Sequence, residues 1–242
     1  MQTNESVNMV KCIINGQWEI MLPEHRANRQ EWYTPEGWEK KRLQAMYEHI
    51  DKGDIVYYVG AEEGDMAALC QIWGGKLVLF EPNRKVVPNI KAIWDANKLE
   101  YPLYYAGFAG RNSSLNYKEG IVDFETITGE VIANHGFKEL HEPFDEKGEI
   151  PQVSISRLVR SESFPYPSVV SIDVEGSEFE VLRGMEAFMR SDKRPVIFLS
   201  LHPEFMFRIY GEYQYDLRNW IKDMGYKETL LDYQHEVHLM YI

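Results

Sequence analysis

A doubly wound α/β sheet, mostly parallel and completed by an antiparallel strand pair at the C-terminus, is the fold this chain predicts, on three observations. From residue 55 onward, short β-branched or aromatic runs alternate with helical stretches, the pattern of successive β-α units over a parallel sheet. Three of these runs end in glycine or acidic residues just before a helix, in VGAEEG, LFEPN and IDVEGSE, and the carboxyl ends of strands are where such sheets bind ligands. Finally, ETLLDY and EVHLMYI flank Gln234-His235 at the end of the chain and predict a terminal hairpin.

Taken in order, the first elements precede the alternation. MVKCII and QWEIML, separated by Asn15-Gly16, predict a two-residue hairpin over residues 9–22. Thr34-Pro35-Glu36 reads as a helix N-cap with proline in the first turn, and Leu43, Met46, Tyr47 and Ile50 recur at helical spacing, so an amphipathic helix should run to about Asp51. IVYYVG is then a strand, and AEEGDMAALCQIW a helix with Leu69, Cys70 and Trp73 on its apolar face. KLVLFEP is a strand, VVPNIKAIWDANK a helix with an early proline, and PLYYAGF a third strand. Residues 107–150, rich in glycine and polar residues, read as an insertion. The alternation resumes with a helix at Ser156–Ser161, the strand SVVSIDVE, a helix from Ser177, the strand PVIFLSLH and a helix over Tyr215–Met224. Ser177 and Glu180 have capping-box spacing. With roughly 150 residues per domain, 242 residues hold one generous domain. We read 1–50 as an appended hairpin and helix and 51–242 as the main domain.

Composition narrows the partners. The chain is 44% hydrophobic, enough for a core, and its 26 basic against 38 acidic residues leave a net charge of −12. Such a surface repels phosphate backbones and anionic lipid, so nucleic-acid and membrane docking are disfavoured and a small-molecule substrate is expected. Cys12 and Cys70 are the only cysteines, too few for a disulfide framework or a zinc site. MQTNESVNMV lacks the layout of a signal peptide, and no apolar run approaches the ~18 residues of a membrane span. A cytoplasmic protein is the expectation; oligomeric state leaves no mark on the sequence.

The strand ends suggest a ligand. Gly60 and Gly64 bracket a turn where backbone can approach closely, while Glu62, Glu63 and Asp65 put three carboxylates where a pyrophosphate would otherwise sit. That arrangement favours a cationic ligand over a nicotinamide dinucleotide. Glu81 follows Gly60 by 21 residues, near the offset at which an acid accepts hydrogen bonds from ribose hydroxyls. S-adenosylmethionine, an adenosine carrying a sulfonium and an ammonium, satisfies both features. In SIDVEGSE, helix capping accounts for Ser177 but not for Asp173 or Glu175, since acids at the end of a central strand cost desolvation without a partner. His202 ends the following strand and faces the same crevice, as a proton acceptor or as a hydrogen-bonded strand-end residue. His135, His141, His235 and His238 sit in no legible motif, and Trp73 and Trp94 read as core.

The ordered set VGAEEG, LFEPN, YYAGF, SIDVEGSEFEVLRGM and PVIFLSLHPEF resembles the FkbM family of S-adenosylmethionine-dependent methyltransferases, over about residues 50–206. The most specific piece is IDVEGSEFEVLRGM. The resemblance implies a Rossmann-like class I methyltransferase sheet in which Gly60, Ala61 and Gly64 border the methionine part of the cofactor. Tyr58, near the end of the IVYYVG strand, and Glu62, in the turn, are counted with them as cofactor-binding residues. It further implies that Glu81, beside Pro82 and Asn83, holds the ribose hydroxyls, that Ala106 and Phe108 lie near the adenine, and that Asp173 sits beside the transferable methyl. O-methylation of a hydroxyl on a sugar or other small metabolite follows by the same route, with Asp173 and His202 as candidates for the proton and Glu178 for a substrate contact. Three positions depart from the family pattern: Tyr58 stands for a usual aspartate, Glu62 for a frequent asparagine and Ser171 for a frequent lysine. They motivate an alternative, a methyltransferase-like binding module without activity; a nicotinamide-dependent oxidoreductase is the other rival. A divalent ion on Asp173 and a neighbouring carboxylate suits hard-cation chemistry, although no metal-ligand spacing is present.

Overall fold

The structure, a computed structural model, describes residues 7–29, 34, 36–129, 150–162, 164–233 and 236–242. Gln234-His235, His135, His141 and the greater part of the expected insertion lie outside the described residues.

The chain opens with an antiparallel hairpin, β1 (Met9–Ile14) and β2 (Trp18–Pro23), then a single turn α1 (Glu24–Ala27) and the helix α2 (Lys40–His49). Ile14 pairs with Trp18, so the turn holds three residues where Asn-Gly suggested two. Asn15 and Gly16 do adopt the left-handed φ that such turns need, 49° and 70°. Asn15 also ties the hairpin to the entry of α2, because its side chain accepts from the Trp38 amide at 2.9 Å and donates to the Trp38 carbonyl at 3.0 Å. Helix α2 starts at Lys40 rather than at Thr34. Thr34 caps a local turn by accepting from the Gly37 amide, and Gly37 and Glu39 have φ of 70° and 44°, which a right-handed helix cannot include. Leu43, Met46 and Ile50 are buried as their spacing indicates, while Tyr47 is half exposed.

The alternating part comes next: β3 (Ile55–Val59), α3 (Asp65–Ile72), β4 (Lys76–Phe80), α4 (Val87–Asn97) and β5 (Leu103–Tyr105). Of the expected insertion, β6 (Phe108–Ala109) pairs in parallel with β8 (Gln152–Val153) just after it, and β7 (Ile121–Val122) pairs antiparallel with β5 just before it, so its described part is more regular than the glycines suggested. Then come α5 (Ile155–Ser161), β9 (Val169–Ile172), α6 (Glu178–Gly184), α7 (Glu186–Met189), β10 (Val196–Leu201), α8 (Pro203–Tyr210), α9 (Gln214–Asp223), β11 (Glu228–Tyr233) and β12 (Val237–Tyr241). Helix α8 is absent from the elements the sequence predicts, although Pro203 occupies its first turn, a favoured place for proline. The expected capping box is not formed: the Ser177 hydroxyl pairs with the Tyr210 hydroxyl at 3.3 Å and Glu180 with Arg183.

One eight-stranded sheet runs β11-β12-β10-β9-β3-β4-β5-β7. The five strands β10, β9, β3, β4 and β5 are parallel, and β12 and β11 add the antiparallel pair. Along β3 the side chains alternate between the two cores, Val56 and Tyr58 to one face, Tyr57 and Val59 to the other. The first core also takes in Ile14, Ile20 and Leu22 of the hairpin against Ile90, Ile93 and Trp94 of α4. At roughly 2 kcal/mol for each buried aliphatic side chain, the N-terminal hairpin contributes to the core instead of merely flanking it. The Asn97 side chain locks the same contact by pairing with both the amide and the carbonyl of Met21.

Candidate active site

Strand order reverses between β3 and β9: the chain builds outward through β4 and β5, then returns to the other side of β3. A crevice opens outside the carboxyl ends of strands at such a point, and here it is a cavity of about 490 Å³, a size usual for small-molecule sites.

Two tight turns form its floor. The Gly60 amide donates to the Phe80 carbonyl, and the Asp173 amide donates to the Val59 carbonyl, which joins the ends of β3, β4 and β9. Gly60 has φ of 84°, and a Cβ there would lie 1.7 Å from the Asp173 carbonyl oxygen. We expect Gly60→Ala to destabilise the fold by on the order of 3 kcal/mol or more, whereas Gly53→Ala, also at positive φ but with nothing within 4 Å, should cost about 1–2 kcal/mol. Guanidinium unfolding of the two variants checks the difference; equal losses would remove the close-approach argument.

At the end of β4, Glu81 is buried, with one carboxylate oxygen accepting from the Glu62 amide at 2.9 Å and the other from the Asn83 amide at 2.8 Å. Burial pushes its pKa up to about 7, against the two amides that pull it down. Each carboxylate oxygen has a second lone pair for a further donor. The acidic turn after Gly60 is not bare. Arg26 of α1 donates to Asp65 at 2.6 Å and to Glu62 at 3.0 Å, while Glu63 meets His25 and Asn89. The three carboxylates that the sequence places at this turn thus meet cations of the N-terminal segment, a contact no local pattern indicates.

Across the cavity, Asp173 and His202 meet as their adjacent strand ends require, His202 Nε2 lying 3.9 Å from Asp173 Oδ1. Burial and then the negative charge of Glu236 push the Asp173 carboxyl up to about 8, against the pull of Arg42. Burial disfavours charge on His202, yet its hydrogen bond to Glu178 and the Glu236 carboxylate outweigh that and hold its pKa at about 11. Glu178 is fully buried and reaches the site through His202 Nδ1, at 2.7 Å, not through the cavity wall.

Tyr58, Gly60, Ala61, Glu62, Glu81, Pro82, Asn83, Phe108, Asp173 and His202 all line the cavity. Gly64 and Ala106 do not. Gly64 packs toward Trp94 and Ile90, and Ala106 is fully buried, its neighbours Gly107 and Phe108 reaching the wall instead.

The residues that sequence reasoning missed come from outside the strand-end motifs. Arg42 of α2, 1% exposed, pairs with Glu39, donates to Ser171 at 2.7 Å, lies 3.6 Å from Asp173 and has its guanidinium 6.0 Å from the Tyr58 ring. Tyr58 and Ser171 are register partners on β3 and β9, so two of the departures from the family pattern are one structural feature, both facing the same buried cation. Glu236 arrives because β12 is antiparallel and begins where β10 ends, with Leu201 opposite Val237.

The model of the methyltransferase FkbM domain matches residues 54–228, well over half of the chain. The protein belongs to that family. Hexuronic acid methyltransferase AglP of Haloferax volcanii is 30% identical to it over 155 residues, 63% of this chain and 59% of the relative, so the match spans less than two thirds of that protein. Among solved structures, the ribosomal protein L11 methylase of Lactobacillus delbrueckii subsp. bulgaricus aligns at a TM-score of 0.47 and 8% identity, over 84% of this chain and 76% of that one. The tRNA (uracil-54, C5)-methyltransferase of Pyrococcus abyssi, solved with S-adenosyl-L-homocysteine, aligns at 0.47 and 13%, over 96% and 43%. In this member of the FkbM family no described helix is long and apolar enough to cross a membrane.

Proposed function

We propose that this methyltransferase uses S-adenosylmethionine to methylate a hydroxyl oxygen on a sugar or another small metabolite. The observation that carries the reading is one cavity that puts the Glu81 carboxylate opposite the Asp173–His202 pair, at the point where strand order reverses. The cofactor fits these residues: its positive charge suits an acidic cavity, and Glu81 has lone pairs for ribose hydroxyls. The kinship with a hexuronic acid methyltransferase supports a carbohydrate acceptor.

When bound, S-adenosylmethionine supplies an electrophilic methyl group. The chain supplies the rest. Glu81 holds the ribose, and Gly60 and Ala61 let backbone come close to the ligand. A hydroxyl is a poor nucleophile until its proton leaves, and Asp173, facing the cavity, accepts that proton. His202, held as a cation between Glu178 and Glu236, positions Asp173 rather than competing for the proton.

Calorimetric titration with S-adenosylmethionine, S-adenosylhomocysteine and NADH tests the cofactor. Binding of the first two and not the third is expected. Absence of binding by either would leave a methyltransferase-like module without activity, and binding of NADH alone would favour an oxidoreductase. Asp173→Asn should lower turnover by roughly 10²–10⁴-fold while keeping S-adenosylhomocysteine affinity within a few-fold; wild-type turnover in that variant would remove Asp173 from the chemistry.

A further inference from the structure

We propose that Asp173, His202 and Glu236 form a binding site for one divalent cation of the Mn²⁺ type, in the cavity wall where the acceptor oxygen is to be held. The three residues follow β9, follow β10 and precede β12, and each offers a ligand atom within 4.8 Å of the others. An ion about 2.1 Å from each ligand spaces ligand atoms at right angles about 3 Å apart. The 2.5 Å between His202 Nε2 and Glu236 Oε2 and the 3.9 Å between Nε2 and Asp173 Oδ1 lie on either side of that value.

Two features distinguish this group from a chance gathering of acids. The first is the support of the imidazole. His202 Nδ1 is fixed by Glu178, which is fully buried and itself accepts from the Gly176 amide at 3.0 Å. A carboxylate on the far nitrogen is how metal-binding histidines are oriented, and it leaves Nε2 turned to the other two ligands. The second is Glu236 Oε2, a buried atom that touches Nε2 yet has no hydrogen bond of proper geometry among the described residues.

Charge points the same way. Glu39, Asp173, Glu178 and Glu236 stand against Arg42 and His202, so carboxylates outnumber cations even with the imidazole charged. Those carboxylates attract a doubly charged ion, and the imidazole would take it as the neutral ring, its Nε2 proton leaving as the ion binds. One imidazole with two carboxylates suits Mn²⁺ or Zn²⁺ better than the all-oxygen sets of Mg²⁺ and Ca²⁺. A second grouping, Glu39, Glu236 and His238, is already used internally, since Glu39 holds Arg42 and His238 pairs with Ser200 at 3.1 Å. A hydroxyl coordinated to an ion in the first group would lose its proton more readily; that use rests on the methyltransferase reading, the site itself does not.

The test is titration of chelator-treated full-length protein with Mn²⁺, followed by electron paramagnetic resonance. The expected result is saturable uptake of one ion per chain, with ¹⁴N modulation in the spin-echo signal from the coordinated imidazole. Glu178→Gln should weaken uptake by roughly 10–100-fold, and His202→Gln and Glu236→Gln by more. No saturable uptake by the wild type, no ¹⁴N modulation, or uptake unchanged in both ligand variants would overturn the site. The modulation is read on the wild type, so the outcome does not depend on the variants folding. S-adenosylhomocysteine binding by the same metal-free sample separates the two readings: binding there without Mn²⁺ uptake sinks this site and leaves the methyltransferase function standing.

Discussion

Replacing Arg42 with methionine should destabilise the protein by about 3–5 kcal/mol, the usual cost of removing one partner from a buried ion pair. The guanidinium is 1% exposed and is shared by Glu39, Ser171 and Asp173. Its Nε has no hydrogen-bond partner among the described residues, so the pair as a whole is no large source of stability; the loss comes from what removal leaves behind. Glu39 would then be a buried acid with no cation beside it, and Asp173 would keep only His202. For a chain of this size the midpoint of thermal unfolding should fall by on the order of 10 °C. The cycle with Glu39→Gln separates this cause from lost packing. If the stranded carboxylate is responsible, the double variant should recover a substantial part of the loss, with a coupling of about 1–3 kcal/mol. A single variant within about 1 kcal/mol of wild type would show that α2 docks on its apolar face alone.

Arg42 also marks the boundary of what a sequence exposes. The α/β alternation, the C-terminal strand pair and the placing of Glu81, Asp173 and His202 on one rim were all legible, because each depends on local periodicity or on strand ends, and the parallel sheet brings strand ends together. Arg42 reaches Ser171 across 129 residues, and nothing local to either predicts the contact. A cue was present in Arg42 itself, a charge one residue from Leu43 on the side of α2 that is buried. Glu236 could have been found by topology: an antiparallel strand beside the parallel ones starts at the rim where they end. The false start of α2 at Thr34 came from reading Pro35-Glu36 as a first helical turn, where a hydroxyl-capped turn with left-handed Gly37 and Glu39 stands instead. Ser177 misled in a similar way, its hydroxyl being taken by Tyr210, a residue of a helix not foreseen.

Glu81 should make cofactor binding and stability respond to pH in opposite directions. Its pKa is about 7 in the folded chain and near 4.5 when unfolded, so between those values the native state holds a proton that the unfolded state has released. Stability from this group is therefore greatest at the acid end and declines as pH rises from about 4.5 through 7. The full change is about 3 kcal/mol at 1.36 kcal/mol per unit. On the proposed function cofactor affinity runs the other way, because the carboxylate, not the acid, would accept from both ribose hydroxyls, and binding would then pull the pKa down by linkage. For the wild type, the logarithm of the association constant for S-adenosylhomocysteine should climb with a slope approaching one below pH 7 and flatten above it. Glu81→Gln removes the titrating group. It should bind roughly 30–150-fold more weakly at pH 8, the loss of a charged hydrogen-bond acceptor at about 2–3 kcal/mol, and show little slope over pH 5.5–7. Between pH 5.5 and 8 its stability should gain on the wild type by most of that 3 kcal/mol, a comparison in which the other titrating groups of the cavity cancel. Parallel affinity profiles in the two proteins would mean that Glu81 is a strand-end carboxylate held by the Glu62 and Asn83 amides for the fold alone, with the ribose bound elsewhere.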